Sequence, residues 1–157
     1  MALGTVTAAR AAATLPVAGH GFSGNLKVAW GTYNIASAPA QNDVIQFCRT
    51  PAGATIIGGW VIGDDIDTGT EALDFDAGYA ANGVETADTD AWGNFGVVTG
   101  DAFGSSEVGV TCLFGGVLRS GGPKTLSAET VHQIIVNTAA NAGGTGRLTM
   151  VVLYTMP

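Results

Sequence analysis

Aspartates dominate the chemistry this sequence could perform. Ile66-Asp67-Thr68-Gly69 contains the Asp-Thr-Gly triplet with which aspartic proteases bring two carboxylates over one shared proton. One copy per chain would need a homodimer to supply the second carboxylate. Asp64 and Asp65 stand just upstream, where such a loop needs an apolar strand, and their charge would repel the shared-proton pair. Asp and Gly also favour turns, and Thr68 can bond its own backbone, so the triplet reads first as a turn between strands. Asp64, Asp65 and Asp67, with Glu71, could instead offer oxygens to calcium. Calcium takes about six to eight converging oxygens, and the spacing of an EF-hand is missing. Asp88 and Asp90 make a second acidic pair. A solvated acidic loop is the plainer reading of both.

The other reactive side chains lack partners at useful spacing. His20 sits in Gly19-His20-Gly21 and His132 on a β-rich run, neither with a Cys or carboxylate at zinc-ligand distance along the chain. Cys48 and Cys112 lie in apolar surroundings without a CxxC motif, which suits buried small hydrophobes. A single bridge between them stays open. Ser105 and Ser106 have no G-x-S-x-G elbow. Gly143-Gly144-Thr145-Gly146 lacks the lysine of a phosphate loop and precedes a strand, so it reads as a hairpin turn. The expectation is a protein that is not an enzyme and carries no cofactor.

Charge narrows the partners. The formal charge is −7, nine of thirteen acids fall between Asp64 and Asp90, and no Lys or Arg occurs from Thr50 to Leu118. An acidic middle disfavours phosphate backbones and anionic lipid, which need positive countercharge. The six basic residues are spread singly and make no nucleic-acid stripe. No apolar run approaches the ~18 residues of a membrane span. The opening stretch lacks the basic leader and unbroken apolar segment of a signal peptide. Nucleic acid and membrane are therefore not expected partners. Only 12% of residues are charged and 24 of 157 are glycine, against roughly a quarter and about 7% in ordinary soluble domains. Such a chain suits a turn-rich fold with much of its surface covered by other proteins.

Strands must position all of this. Leu26, Val28 and Trp30 alternate with polar or small residues, and Leu73, Phe75, Ala77 and Tyr79 alternate with Asp74, Asp76 and Gly78. Residues 43–50 make a strand ended by the turn Pro51-Ala52-Gly53, and 54–66 another, whose Gly58-Gly59 pair marks a bulge or a close approach. Residues 80–94 read as a loop with a helical turn near 89–92. Residues 95–99, 107–118, 130–137 and 147–155 supply further strands. About eight strands without an amphipathic helix predict an all-β fold, a jelly-roll-like two-sheet β-sandwich. Residues 1–24, mostly small, read as an extended N-terminal arm with a short helix near 7–14, and 25–157 as a single sandwich domain. Trp60 is expected in the core. Trp92, on the loop, is the expected interface anchor, joined by Ala8, Arg10, Leu15 and Phe22 of the arm.

The stretch from Asp43 to Tyr79 resembles a pattern of small structural proteins in tailed bacteriophages. A strand–turn–strand with P-A-G-A at its turn leads into an acidic D-T-G segment and a closing D-x-G-Y. Asp43, Pro51, Gly53, Ala54, Asp65, Asp67, Gly69, Asp76, Gly78 and Tyr79 carry it here, about a quarter of the chain. The resemblance implies a capsid decoration (cement) or minor head protein, made in the host cytoplasm and seated on the capsid surface of the virion. It would be a homo-oligomer, dimer or trimer, bridging subunits of the major capsid protein. Head–tail joining or a tail position is the alternative within the virion. A homodimeric aspartic protease or a calcium-binding sandwich are the alternatives outside that role.

Overall fold

The period-two alternation gives each long strand one apolar and one mixed face, and two such sheets close over a shared core. The computed structural model describes residues 4–7, 26–64, 66–67, 70, 72–97, 110–115, 122–142 and 144–157, with backbone alone at 96–97 and 110–113. The strands are β1 (Thr5–Thr7), β2 (Lys27–Ile35), β3 (Val44–Thr50), β4 (Thr55–Gly63) and β5 (Asp74–Tyr79), followed by β6 (Asp88–Val97), β7 (Val110–Leu113), β8 (Lys124–Thr125), β9 (Thr130–Thr138) and β10 (Gly146–Thr155). Among the described residues there is no helix. Sheet A runs β1-β3-β9-β5-β6 and sheet B runs β2-β10-β4-β7, with β8 on β4. The fold is an all-β, jelly-roll-like sandwich.

Ile45, Phe47, Phe75, Ala77, Ile134 and Val136 of sheet A meet Ala29, Ile56, Val61, Leu148, Met150 and Val152 of sheet B in one buried core. Each large aliphatic or aromatic side chain so buried contributes roughly 1.5–3 kcal/mol of transfer free energy. β10 shows the pattern most cleanly: Leu148, Met150, Val152 and Tyr154 point in, and the residues between them point out. Gly59 of β4 fits a close approach, since a Cβ there would lie 2.2 Å from the Val151 carbonyl oxygen and 2.6 Å from the Phe114 ring.

Partners along the ladders are distant in sequence. β3 pairs with β9 and β4 with β10, both antiparallel. The turn at Pro51-Ala52-Gly53 therefore carries the chain from one sheet to the other. The glycine-rich stretch before β10 does the same, because β9 and β10 lie in different sheets; the expected hairpin there is a sheet crossing. Among the described residues, only β5 and β6 form a local antiparallel pair within one sheet. That pairing also replaces the end of the expected loop and its helical turn: residues 88–94 are strand, because the ladder with β5, through two register shifts, takes up backbone groups that the polar composition left to water. At the other end, Thr5–Thr7 of the expected arm joins sheet A, pairing parallel to β3. The remainder of the helix expected near 7–14 lies outside the described residues.

Candidate interaction surfaces

The carboxylates singled out for chemistry do structural work instead. Asp67 is buried, and both its oxygens are taken by backbone N–H groups. Ala72 and Leu73 donate to Oδ2 at 2.6 and 2.8 Å, and Asn141 and Ala142 donate to Oδ1 at 2.7 and 3.2 Å. Burial pushes this carboxyl up, but the four backbone donors outweigh it and hold its pKa below the ordinary value. A carboxylate so engaged has no lone pair aimed at a substrate water or a cation. It clasps the segment before β5 to the segment before β10. Asp64 is tied elsewhere, accepting from the Arg147 backbone N–H at 2.9 Å and from Nε at 3.3 Å. Asp65, Thr68, Gly69 and Glu71 lie outside the described residues. Among the described residues no three acidic, His or Cys side chains already converge on a metal-sized point.

Other residues of the phage-like pattern also build the fold. Asp43 is buried and holds the N-terminal strand, accepting from Gly4 N–H at 2.7 Å and Ala40 N–H at 2.8 Å. Gly78 lets β6 cross closely, since a Cβ there would sit 2.0 Å from the Asp88 carbonyl oxygen. The Tyr79 ring packs 5.5 Å from Trp92, and its hydroxyl accepts a 2.5 Å bond from Lys124 Nζ, which lies 3.7 Å from Asp88. That bond to Tyr79, more than the nearby Asp88 and Glu85, raises Lys124 above its usual range.

His132 is fully buried in sheet A. The Trp92 indole N–H donates to its Nδ1 at 3.2 Å, so the ring proton sits on Nε2 and is donated to Thr50 Oγ1 at 2.9 Å. Desolvation alone lowers its pKa to about 3, so the imidazole is neutral at any ordinary pH. It is a satisfied core histidine. His20 lies outside the described residues. Cys48 is buried in the core.

Trp92 is overturned as an interface anchor. It is wholly buried beneath β6, stacked 6.0 Å from Phe114 and 5.5 Å from His132, and presents nothing to a partner. Ala8, Arg10, Leu15 and Phe22 lie outside the described residues. Trp60, expected in the core, is instead half-buried on the outside of sheet B. The register explains why. Trp30 of β2 lies opposite Val151 of β10, and Val151 opposite Trp60 of β4, so the three residues form one row across the sheet. The next row is Val28, Leu153 and Gly58, and the row beyond is Thr32, Thr149 and Ile62. Val28 is 46% exposed, Trp30 44%, and Leu26 at the sheet's margin 56%. β2, β4 and β10 contain no acid, and their only charges are Lys27 and Arg147 at opposite ends of the patch. An apolar, aromatic surface with a thin cationic rim is what a protein interface core looks like.

The outside of sheet A is polar. Thr7 donates to Gln46 at 3.2 Å and Gln46 to Gln133 at 3.4 Å, while Asp74 and Asp76 of β5 lie opposite Val97 and Asn94 of β6, and Asp88, at the other end of β6, lies opposite Tyr79. Tyr79, Glu85, Asp88, Asp90 and Lys124 line a shallow open groove at that end.

The class this defines is a two-sheet β-sandwich with one outer face apolar and the other acidic. No family model matches the chain, and neither does any curated protein. Its fold is shared with a chain in the capsid asymmetric unit of cyanophage Pam1, at 23% identity over 94% of this chain and 96% of that one, with a TM-score of 0.67. It is shared as well with a chain in the capsid of Ralstonia phage GP4, at 16% identity over 98% and 99% of the two chains, with a TM-score of 0.70.

Proposed function

We propose that this protein is a structural component of a phage virion that binds the outside of the capsid and cements neighbouring subunits of the major capsid protein. The observation that carries this reading is the near full-length sharing of the fold with chains of two phage capsids. The outer face of sheet B supplies the physical means. Trp30, Val28, Val151, Leu153 and Trp60 offer the rigid aromatic and aliphatic anchors that dominate protein–protein binding energy. Rigid strands hold those anchors in place, so little ordering entropy is lost on docking. The arm of residues 1–24, anchored by β1, adds contacts to a neighbour, and the protein acts as a dimer or trimer on the shell.

Binding of the purified chain to empty capsid shells, measured by co-sedimentation, tests this. Trp30→Ala and Val28→Asp are expected to weaken shell binding at least tenfold while leaving the far-UV circular dichroism and the unfolding midpoint close to those of the parent. Unchanged binding by both variants would overturn the role of sheet B. Particle imaging that places the chain only at the tail or the head–tail junction would overturn the cementing role.

A further inference from the structure

Folded sheets keep their edges from pairing with other chains by shortness, charge, proline or bulges. Among the described residues, three of the four sheet edges are guarded in this way. β1 has three residues and β7 four, while β6 carries Asp88 and Asp90 and meets β5 through two register shifts. β2 is the exception. It is nine residues long, with no proline, no acid and a single lysine at its first position. It pairs with β10 from Lys27–Tyr154 to Ile35–Gly146 without a register shift, and among the described residues no strand is laddered to its other side. A long, even edge of that composition is a template for another strand. The sandwich also keeps carboxylates away from it. Gly31 lies against β3, since a Cβ there would sit 1.9 Å from the Phe47 carbonyl oxygen. β9 separates β3 from β5 and β6, so Asp74, Asp76, Asp88 and Asp90 lie across sheet A from this edge. In a chain of net charge −7, two copies can meet at β2 without bringing those acids together.

We propose that two copies of this chain pair β2 to β2, antiparallel about a two-fold axis at Gly31, and so join their B sheets into one. In that register Trp30 faces the partner's Thr32 and Tyr33 faces the partner's Ala29, so each ring meets a small side chain. Lys27 faces the partner's Ile35 and not a second lysine, and Gly31 meets its own counterpart on the axis. Such a contact uses the same strand on both copies and closes at two. The outward row of Trp60, Val151 and Trp30 then runs on into the partner's row of Thr32, Thr149 and Ile62. Two apolar outer faces become one surface. The pairing does not depend on the shell-binding reading, since it needs only this chain.

Sedimentation velocity of the purified full-length chain, without shells, tests it. The expected species is a dimer. Val28 and Asn34 are both exposed, and in this register each faces the other across the joint. Val28→Lys combined with Asn34→Lys sets lysine against lysine twice and should weaken the dimer about tenfold or more. Val28→Glu combined with Asn34→Lys sets opposite charges there and should restore it. Both double variants should keep the far-UV circular dichroism of the parent. A parent that stays monomeric, or that closes as a trimer, would overturn the pairing. A dimer untouched by the paired lysines would show that β2 is not the joint. Failure of the opposite charges to restore the dimer would overturn the antiparallel register.

Discussion

The two sheets share one core and turn unlike faces outward. On sheet B, Trp30, Val151 and Trp60 line up across three strands, with Val28 and Leu153 beside them and no carboxylate on any of the three. On sheet A, the outward positions hold Thr7, Gln46 and Gln133 in a hydrogen-bonded chain, then Asp74 and Asp76. The inner faces differ in kind too. Sheet B contributes Leu148, Met150 and Val152, while sheet A adds the polar set Thr50–His132–Trp92, in which the donors and acceptors of the two rings are matched. Aromatic content alone would not have separated these regions. Trp92 and Trp30 are the same residue type on neighbouring layers, one sealed and one half in water. Position in the ladder decides whether a tryptophan is sealed in the core or left half in water.

The largest expected effect tests that contrast. Trp92→Ala should cost about 3–5 kcal/mol in urea unfolding, because it leaves a large cavity and removes the donor to His132. Trp30→Ala should cost under about 1 kcal/mol, since half of its surface is already wet. Equal losses would erase the distinction between the two layers. Next comes the clasp at Asp67. Asp67→Asn replaces one acceptor oxygen by a donor, orphaning two of the four backbone N–H groups, and should cost about 2–3 kcal/mol at pH 7 in the same measurement.

Acid should weaken sheet A through His132. Its folded pKa is about 3 against the ordinary 6.5, so the unfolded chain takes up a proton that the folded chain refuses. Stability from this residue is complete above pH 6.5 and falls as the pH drops towards 3, by about 2 kcal/mol between pH 7 and pH 5. Asp76 and Asp88, whose pKa values burial raises, act with the opposite sign. Comparing the parent with His132→Gln isolates the histidine: the variant, less stable at pH 7, should lack that part of the slope. The smallest effect belongs to the exposed rim of sheet B. Arg147→Gln breaks a surface pair with Asp64 and should move the unfolding free energy by no more than about 0.5 kcal/mol.

Much of the sandwich was legible because strand alternation is a local signal. β3, β5, β9 and β10 fall within a residue or two of where the apolar period places them. Residues 88–94 were not legible, since Asp, Thr, Asn and Gly favour loops until a ladder with β5 outweighs that preference. The crossing before β10 was misread for a related reason: glycines mark a change of direction without saying which sheet the next strand joins. The phage-like pattern held a similar ambiguity. Asp67 looked like the mark of a site and Asp43 and Gly78 like marks of a family, and in the fold they are a loop clasp, a strand clasp and a close crossing. Residues that fix a backbone leave the same trace in a sequence as residues that touch a ligand.

By itself the sequence determined the class: all-β, acidic in its middle, apolar enough to close one core, with few charges left for a free surface. Those properties depend on composition and on spacing of two residues, which the chain carries locally. Only the tertiary structure decided which face of which sheet became the apolar outer patch. β10 lies between β2 and β4, and it alone brings Trp30 and Trp60, thirty residues apart in the chain, into one row. That adjacency is set by a strand more than eighty residues downstream of Trp60. The same distant ladders turned Trp92 inward and made His132 a neutral core residue. A pairing between remote segments has no local period to announce it.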